Sequence, residues 1–417
     1  MNRAEDFTPV VLGADILGYS YAREFHNCFN KKSIILTSAN ISYTKSSSFA
    51  DYRVVRDIDR EEVLHSYLLE NAGAFSSRPI VFGGTGDWRI RTLSKYKYEL
   101  TEKGYCVPTI DFELLDSISQ KDIFYSDCAR LGVPYPKTLV WGFKGYRIKT
   151  EYDDLKNVDS FDVLKGLSYP LIAKPSNSAD WHFADIPDQQ KIYTIENFEK
   201  LKEVIEDLEK SPYSHALLIQ EMLSDSDEAL HTVTTFSDSE GNMLMGVTGD
   251  VILQSHTTTG IGNPLVIQGG NKRQDLLDYA SKLLKAWKYE GYANFDVMDG
   301  KNKEPHFLEI NTRPGRNTYY VSLAGCPFVK PFIDYYIEGH KKLEGLEKSE
   351  LEAGNEFLFS MVSRKTALCV ASPEKQEKIG TLFDKFGWQN PILNDKDNLL
   401  QRMAAKEYIK LTETRFI

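Results

Sequence analysis

The most informative segment of the chain, residues 294–316, reads Asn294-Phe295-Asp296-Val297-Met298, then the polar turn Asp299-Gly300-Lys301-Asn302-Lys303-Glu304-Pro305, then His306-Phe307-Leu308-Glu309-Ile310-Asn311-Thr312-Arg313-Pro314-Gly315-Arg316. Two short runs of alternating side chains, joined by a turn that contains glycine and proline, predict a β-hairpin. Because successive side chains of a strand point to opposite faces, Glu309 and Asn311 are expected on one face, and Leu308 and Ile310 on the other. Two oxygen-bearing side chains therefore leave the second strand together.

The oxygen-bearing side chains of this hairpin predict a metal site. A symmetrical turn would place Asp296 across the ladder from Glu309, so that both carboxylates lie near the amide of Asn311. Oxygen ligands of this kind suit Mg²⁺, which binds carboxylates, water and substrate phosphates. Each carboxylate taken alone is more often an ordinary polar residue on a solvated strand face. Their combination on one hairpin favours a metal site.

Two arginines follow the expected metal ligands directly. Arg313 and Arg316 carry planar guanidinium groups, which suit phosphate or carboxylate oxygens. Pro314-Gly315 lies between them and is expected to end the strand and turn the chain. Metal ligands and anion-binding arginines side by side predict chemistry on a nucleotide phosphate.

The composition excludes several classes of protein. The 417 residues carry a net charge of −10 with dispersed basic residues, so we expect no nucleic-acid partner. The five cysteines form no CxxC pair, which is typical of reduced thiols in the cytosol. No segment is apolar enough to span a bilayer, and the first residues are polar and acidic, unlike a signal peptide. These features predict a cytoplasmic protein without membrane insertion, and they indicate no particular oligomeric state.

Residues 1–115 predict a Rossmann-like domain built on a parallel sheet. A strand at 9–12, a helix at 20–29 and a strand at 33–36 form a βαβ start, but its glycines lack the full GxGxxG pattern. A nicotinamide-dependent dehydrogenase is therefore the weaker interpretation. A third strand ends in Gly83-Gly84-Thr85-Gly86-Asp87, and ligands of open parallel sheets bind beyond the carboxyl ends of strands, which makes Asp87 a candidate substrate residue. Tight turns alone would explain these glycines equally well.

The rest of the chain predicts three further domains, with a mixture of α/β and α+β architecture. Residues 116–215 form an α+β unit with a lid, residues 216–345 contain the metal hairpin, and residues 346–417 form a C-terminal extension packed on the core. The predicted elements are, in chain order, helix 117–131, strand 169–174, helix 196–210, strand 216–220, hairpin 230–236 and 243–253, helix 272–289, strands 357–362 and 367–371, and helix 373–386.

These motifs resemble those of the ATP-grasp superfamily of carboxylate–amine ligases over residues 115–335. Asp296, Glu309 and Asn311 match the D…E-x-N arrangement with which that family binds Mg²⁺. The resemblance implies an ATP-grasp fold preceded by the Rossmann-like domain, with ATP and Mg²⁺ as cofactors.

The resemblance also implies an ATP site. Lys121 and Lys174 match the two lysines that the family places on ATP phosphates, and the loop Ser176-Asn177-Ser178 matches the lid loop, although it lacks the usual glycines. The strand 217–220 runs into Glu221-Met222-Leu223, which is similar to the family's adenine hinge. Ser176 and Ser178 would then contact phosphates, and Glu221 and Leu223 the base. Glu228 would bind the ribose, with Asp227 as the alternative.

Within the superfamily, the chain is most similar to the D-aspartate ligases of Gram-positive cell-wall synthesis, on the segments 12–15, 261–264 and 309–320. The resemblance implies that the β-carboxylate of D-aspartate is joined to the lysine side-chain amine of UDP-MurNAc-pentapeptide, a step of peptidoglycan synthesis. Substrate residues would be Arg316, Thr259, Gly260, Asn263 and Asp87. His256 is a conceivable base, although a lone histidine beside a loop is more often structural.

The implied reaction passes through an acyl phosphate, which an amine then attacks. Lys174, Arg313 and Arg316 are the expected catalytic residues, because positioning and charge neutralisation dominate catalysis of phosphoryl transfer. Three alternatives remain beside the dehydrogenase. They are an ATP-grasp ligase for another acid or amine, an ATP-dependent kinase, and a non-catalytic nucleotide-binding module.

Overall fold

The computed structural model describes residues 7–75, 77–181, 184, 186, 189–224, 226–257, 262–271, 273–339 and 355–415. They fall into two compact units. The first unit comprises Met1–Leu115, Thr232–Asn294 and Asn311–Ile417, and the second comprises Asp116–His231 and Phe295–Ile310. The four domains expected from the sequence, with their bounds, stay a prediction.

The first unit contains a four-stranded parallel sheet in the order β3-β2-β1-β4. Its strands are β1 (Phe7–Leu12), β2 (Ser33–Thr37), β3 (Ala50–Val54) and β4 (Arg78–Gly83), and Val10 of β1 pairs with Ile34 of β2 and with Val81 of β4. Strands β1 and β2 are buried along their whole length, as expected for a parallel sheet that is covered on both faces. The sequence interpretation missed β3, whose residues are mostly half-buried and polar.

Helices connect these strands or follow the last of them. They are α1 (Ile16–Phe29), α2 (Ser42–Lys45), α3 (Glu61–Glu70), α4 (Asp87–Lys95) and α5 (Lys97–Glu102), followed by α6 (Phe112–Ile118). Helix α1 begins four residues earlier than predicted, because the Asp15 carboxylate accepts hydrogen bonds from the backbone N–H groups of Leu17 and Gly18 at 3.0 and 3.1 Å.

The second unit contains a five-stranded sheet in the order β6-β5-β9-β7-β8. Its strands are β5 (Thr138–Gly142), β6 (Leu155–Asn157), β7 (Leu171–Pro175), β8 (Tyr193–Ile195) and β9 (Ala216–Glu221), and its helices are α7 (Lys121–Leu131), α8 (Phe161–Lys165), α9 (Ser178–Trp181) and α10 (Phe198–Lys210). The predicted helix 117–131 is in fact α6 followed by α7, because Gln120 has an extended backbone that interrupts it.

A six-stranded sheet has the order β14-β13-β10-β11-β12-β15. Its strands are β10 (Leu230–Ser237), β11 (Met243–Gln254), β12 (Pro264–Gln268), β13 (Gly291–Asp299), β14 (Pro305–Asn311) and β15 (Leu358–Ser360). The described residues between these strands include the helices α11 (Gln274–Trp287), α12 (Tyr319–Leu323) and α13 (Lys330–Phe332), the last of which continues into a π-helix at Ile333–Ile337. The hairpins predicted at 230–253 and at 294–316 are both present.

The last described residues are mainly helical, in α14 (Arg364–Val370), α15 (Pro373–Phe386) and α16 (Leu399–Glu413). The strand predicted at 367–371 is wrong: the Ser363 hydroxyl accepts a hydrogen bond from the Thr366 N–H at 3.3 Å and starts α14 there. The predicted strand at 357–362 is reduced to β15, which pairs antiparallel with β12. Of the helices in the described ranges, none has both the length and the apolar character needed to cross a bilayer.

A buried carboxylate, Asp397, joins this C-terminal segment to the start of the first unit. Its Oδ2 accepts a hydrogen bond from the Tyr19 hydroxyl at 3.0 Å, and its Oδ1 accepts from the N–H and the hydroxyl of Ser48 at 2.9 and 2.8 Å. Arg23 donates to the carbonyl groups of residues 390, 391 and 393, each at 3.1 Å. The C-terminal segment is thus held by polar contacts made to a charged group and to backbone oxygens.

We predict that Asp397→Ala lowers the free energy of unfolding by about 3 kcal/mol, because several buried donors lose a charged acceptor at once. Urea denaturation of the full chain, followed by circular dichroism, measures this change. Asp395→Ala is the matched control, since Asp395 is fully exposed two residues away. Equal stability of the two variants would contradict a structural role for the buried carboxylate.

Candidate active site

In the second unit, the carboxylate of Glu309 lies among lysines. Glu309 is on β14, and its Oε2 is 2.8 Å from the Nζ atom of Lys121, the first residue of α7. Its Oε1 is 3.7 Å from the Nζ atom of Lys191, which precedes β8. The Lys121 N–H donates to the Ser176 carbonyl at 2.9 Å, which attaches the start of α7 to the loop after β7. The fold therefore brings three distant segments to one carboxylate.

These lysines determine the charge of Glu309. Burial acts to raise the pKa of Glu309, but the charges of Lys121, Lys191 and Lys174 together outweigh it and hold the pKa well below its ordinary value. About one fifth of the side chain, 22%, is exposed. Glu309 is therefore an ionised carboxylate that solvent or a ligand can reach.

Lys174 is a buried cation of the site. It lies on β7, is buried, and has its ammonium 5.6 Å from the centre of the Tyr125 ring. Burial lowers the pKa of Lys174 to about 8, although the charges of Glu309 and Asp296 act to raise it. Since Lys174 responds to both carboxylates, Asp296 and Glu309 lie within electrostatic reach of the same ammonium group.

The cluster is rich in cations. The ammonium groups of Lys121, Lys191 and Lys174 all act on the Glu309 carboxylate, and Asp296 acts on Lys174 as well. A partly buried group of cations suits an anionic ligand. The arrangement agrees with the expectation that Lys121 and Lys174 bind phosphates.

Asp296 and Glu309 also fit a hard cation. Both are oxygen donors, and Glu309 is ionised, as a metal ligand must be. Asn311 ends the same strand as Glu309 and belongs to the first unit. Among the described residues there is no group of three His, Cys, Asp or Glu side chains that would hold a metal by themselves. A Mg²⁺ ion here would therefore need an amide, water or phosphate ligand in addition.

The loop after β7 is attached to the strand β9 beside it. The Ser176 side chain is fully buried, and its hydroxyl accepts a hydrogen bond from the Ala216 N–H at 3.2 Å. The Asn177 N–H donates to the Tyr213 hydroxyl at 3.2 Å. In this conformation the Ser176 hydroxyl has a structural role, and its predicted phosphate contact stays a prediction. The side chain of Ser178 lies outside the described part of the structure.

The expected adenine and ribose residues follow β9. Glu221 is the last residue of that strand and is exposed, and Leu223 is half-buried. The two alternatives for the ribose differ in burial: Asp227 is buried and Glu228 is exposed, in a single 3₁₀ turn. Exposure favours Glu228 as the residue available to a ligand.

In the first unit, Arg313 forms an ion pair with Asp87. The Nε and Nη2 atoms of Arg313 lie 2.8 and 2.7 Å from the same Asp87 oxygen, Oδ1. Arg313 also donates to the Pro314 carbonyl at 3.1 Å, and its Nη2 is 3.5 Å from the Asn311 side-chain oxygen. The arginine is buried, whereas 65% of the Asp87 side chain is exposed. Arg313 therefore contacts both Asp87 and Asn311. All three residues were predicted from the sequence as site residues.

A buried polar network lies under the arginine loop. The Asn294 side-chain oxygen accepts hydrogen bonds from Thr232 and Thr234 at 3.1 and 2.8 Å, and the Tyr320 hydroxyl donates to Thr234 at 2.8 Å. A Cβ atom at Gly315 would lie 2.7 Å from the Asn317 side-chain oxygen and 3.3 Å from Asn294. Glycine is therefore required where the loop crosses the network. Sequence reasoning missed this network, because its members are far apart in the chain.

The remaining predicted substrate residues are less well determined. Arg316 is exposed. Thr259 and Gly260 lie outside the described residues. Asn263 is half-buried, and its carbonyl accepts a hydrogen bond from the Ser255 N–H at 2.9 Å. His256 is exposed beside the same segment. Their roles stay predictions.

The two units have the architecture expected for an ATP-grasp fold. No family model matches the sequence. The sequence is 26% identical to D-aspartate ligase of Enterococcus faecium (strain Aus0004), over 97% of this chain and 94% of that protein. A shorter match, 23% identical, covers 55% of this chain and 39% of the carbamoyl phosphate synthase large chain, C-terminal section, of Methanopyrus kandleri.

Solved structures have the same fold. A biotin carboxylase complex from Campylobacter jejuni aligns with a TM-score of 0.61 and 17% identity, over 86% of this chain and 76% of that one. The L-amino acid ligase from Bacillus licheniformis aligns with a TM-score of 0.55 and 14% identity, over 84% and 77%. These comparisons confirm the predicted ATP-grasp fold with its Rossmann-like first domain and the resemblance to D-aspartate ligases.

We predict that Lys174→Met does not destabilise the free protein at pH 7 and raises its free energy of unfolding by up to about 3 kcal/mol, because a lowered pKa means that the folded state pays to keep this ammonium charged. Between about pH 8 and the pKa of an unfolded lysine, the unfolded chain binds the extra proton, so wild-type stability rises with pH relative to the variant. Urea denaturation at pH 7 and at pH 9.5 tests the sign. A variant that is much less stable at pH 7 would indicate a structural lysine.

Lys191 was not predicted from the sequence, since it belongs to no spaced motif. We expect Lys191→Gln to weaken binding of ATP about tenfold and to leave binding of adenosine unchanged, because a charged donor to phosphate is lost. Isothermal titration calorimetry measures both ligands. Lys210→Gln is the matched control, since Lys210 is an exposed lysine of the same unit that pairs with Asp207. Equal losses for ATP and adenosine would refute a phosphate contact.

Proposed function

We propose that the protein is an ATP-dependent ligase that joins the β-carboxylate of D-aspartate to the lysine side-chain amine of UDP-MurNAc-pentapeptide, in the synthesis of the peptidoglycan cross-bridge. The observation that carries this proposal is the cluster of Lys121, Lys174 and Lys191 around Glu309, in a chain related over 97% of its length to a D-aspartate ligase. A cytoplasmic location agrees with a nucleotide-linked acceptor.

In the first step, a carboxylate oxygen of D-aspartate attacks the γ-phosphorus of ATP, and the bond to the ADP oxygen breaks. The three lysines would neutralise the phosphate oxygens, where positioning and electrostatics provide most of the catalysis. Asp296 and Glu309, with Asn311, would hold Mg²⁺, which would offset the negative charge of the phosphate oxygens. Lys121 would exchange its contact with Glu309 for one with phosphate.

In the second step, the acceptor amine attacks the carbonyl carbon of the acyl phosphate and phosphate leaves, so that an amide forms. Arg313 would bind oxygens of the activated carboxyl group, since its ion pair with Asp87 fixes the guanidinium plane. Arg316 would bind the second carboxylate of D-aspartate. The choice of the D isomer and of the muropeptide amine is supported by the relative alone.

The decisive experiment determines product mass after incubation of the enzyme with ATP, Mg²⁺, UDP-MurNAc-pentapeptide and D-aspartate, L-aspartate or glycine in turn. We expect an amide with D-aspartate only, together with one ADP per amide. Comparable products from L-aspartate or glycine would refute the specific substrate and keep the ligase. A stable phosphorylated product without an amide would identify a kinase instead.

We predict that Glu309→Gln abolishes ADP formation in this assay, because the substitution removes the charge of a metal ligand and keeps the side-chain volume. Glu304→Gln is the matched control, since Glu304 is an exposed residue in the turn of the same hairpin. Circular dichroism verifies that both variants are folded. Normal turnover of a folded Glu309→Gln enzyme would rule out the proposed role of this carboxylate.

A further inference from the structure

One tyrosine of the second unit contacts the three segments that carry the lysine cluster. Tyr125 lies on α7, four residues after Lys121, so the two side chains are on the same face of the helix. Its side chain is fully buried. Its hydroxyl donates a hydrogen bond to the Leu308 carbonyl of β14 at 2.9 Å, and the Lys174 ammonium of β7 lies 5.6 Å from the centre of its ring. Tyr125 therefore joins α7 to both strands.

The hydroxyl contact fixes β14 at the peptide group that precedes Glu309. Helix α7 reaches this strand on two successive turns. The Lys121 Nζ atom lies 2.8 Å from the Glu309 carboxylate, and one turn later the Tyr125 hydroxyl binds the Leu308 carbonyl. Burial raises the pKa of Tyr125, so the hydroxyl keeps its proton and remains a donor. Glu309 is thus held through its side chain and through its backbone.

The ring contact concerns the ammonium group of Lys174. The backbone of Lys174 is fixed by its pairing with Leu218 of β9, but its ammonium is at the end of a flexible four-carbon stem. An aromatic ring attracts a cation that lies over its face within about 6 Å, and the attraction is stronger where water is excluded. The distance of 5.6 Å and the burial of Lys174 meet both conditions. The ring therefore favours a charged ammonium where burial acts against one.

The segment after α7 limits the freedom of this ring. The Tyr135 ring stacks on that of Tyr125, with a distance of 5.6 Å between the ring centres and an angle of 20° between the planes. In the same segment, the Pro134 carbonyl accepts a hydrogen bond from the Phe307 N–H of β14 at 2.9 Å. The ring of Tyr125 is therefore packed from a segment that is itself bonded to β14. A ring held in this way can determine where a mobile cation lies.

We propose that Tyr125 is a positioning residue of the candidate active site, which holds the Lys174 ammonium with its ring and the Glu309 strand with its hydroxyl, so that both are placed to act on the phosphates of ATP. Tyr125 acts through these two residues and not on the nucleotide itself. The two contacts use different atoms of one side chain, so they can be removed separately. The inference rests on the proposed function, in which the lysine cluster binds ATP phosphates.

Calorimetric titration of the full chain with ATP and with adenosine tests the proposal. Tyr125→Leu removes the ring, and we expect it to weaken ATP binding about fivefold, which corresponds to about 1 kcal/mol for a cation–π contact, and to leave adenosine binding unchanged. In a Lys174→Met background the same substitution should leave ATP binding unchanged, because the ring then has no ammonium to hold. Tyr125→Phe keeps the ring and should bind ATP as the wild type does, but form ADP about fivefold more slowly in the ligase assay, because the hydrogen bond to β14 is lost.

Phe124→Leu is the matched control, since Phe124 is a fully buried aromatic residue of the same helix that points about 100° away from Tyr125. It should bind ATP as the wild type does, and circular dichroism verifies that the variants are folded. Equal losses of ATP affinity from Tyr125→Leu in both backgrounds would overturn the role of Tyr125 alone. So would a loss of ATP affinity in Tyr125→Phe, the variant that decides if Tyr125→Leu does not fold. A wild-type protein that binds ATP no more tightly than adenosine would refute the phosphate site itself, and this role with it.

Discussion

The structure of the second unit depends on how it holds one carboxylate, Glu309, among lysines from three separate segments. Lys121 at the start of α7 and Lys191 before β8 reach opposite oxygens of the same group, at 2.8 and 3.7 Å. Lys174 on β7 responds to the same charge. The three ammonium groups repel one another, so the fold must hold the cluster together by other contacts as well.

Those other contacts are hydrophobic packing and backbone hydrogen bonds within the second unit. The Lys121 N–H is bonded to the Ser176 carbonyl, and Ser176 is bonded to Ala216 of β9. Burial nevertheless lowers the pKa of Lys174 to about 8, which shows that the folded state bears a cost for this ammonium. A binding site for an anion commonly carries such a cost, because groups positioned for a ligand repel one another without it.

In the first unit, polar contacts fix the position of an arginine just after the end of a strand. Arg313 is held by an ion pair to Asp87 and by the Pro314 carbonyl, and the loop that follows rests on the buried network around Asn294. Buried hydrogen bonds in this network are fully directional, so they fix the loop more closely than apolar packing would. Asp397 fixes the C-terminal segment in the same way, because its carboxylate accepts hydrogen bonds from Tyr19 and Ser48.

Local sequence was sufficient for the elements whose periodicity and end signals are strong. The two hairpins, helix α15 and the βαβ start follow from alternation, turn residues and capping, because these interactions lie within a few residues of one another. The segment 367–371 was wrongly predicted as a strand, because its apolar run fits the period of a strand as well as that of a helix. The hydrogen bond to the Ser363 side chain starts a helix there. Glu309, Lys174 and Arg313 were singled out from their positions on or just after strands, and Lys121 from its match to a family motif; their roles stay predictions. Three contacts were decided by the tertiary structure alone. They are the approach of Lys191 to Glu309, the ion pair between Asp87 and Arg313, and the hydrogen bonds that Asn294 accepts from two threonines. Each of these contacts joins residues that are distant in sequence, and no local pattern encodes a partner that only folding brings within a few ångströms.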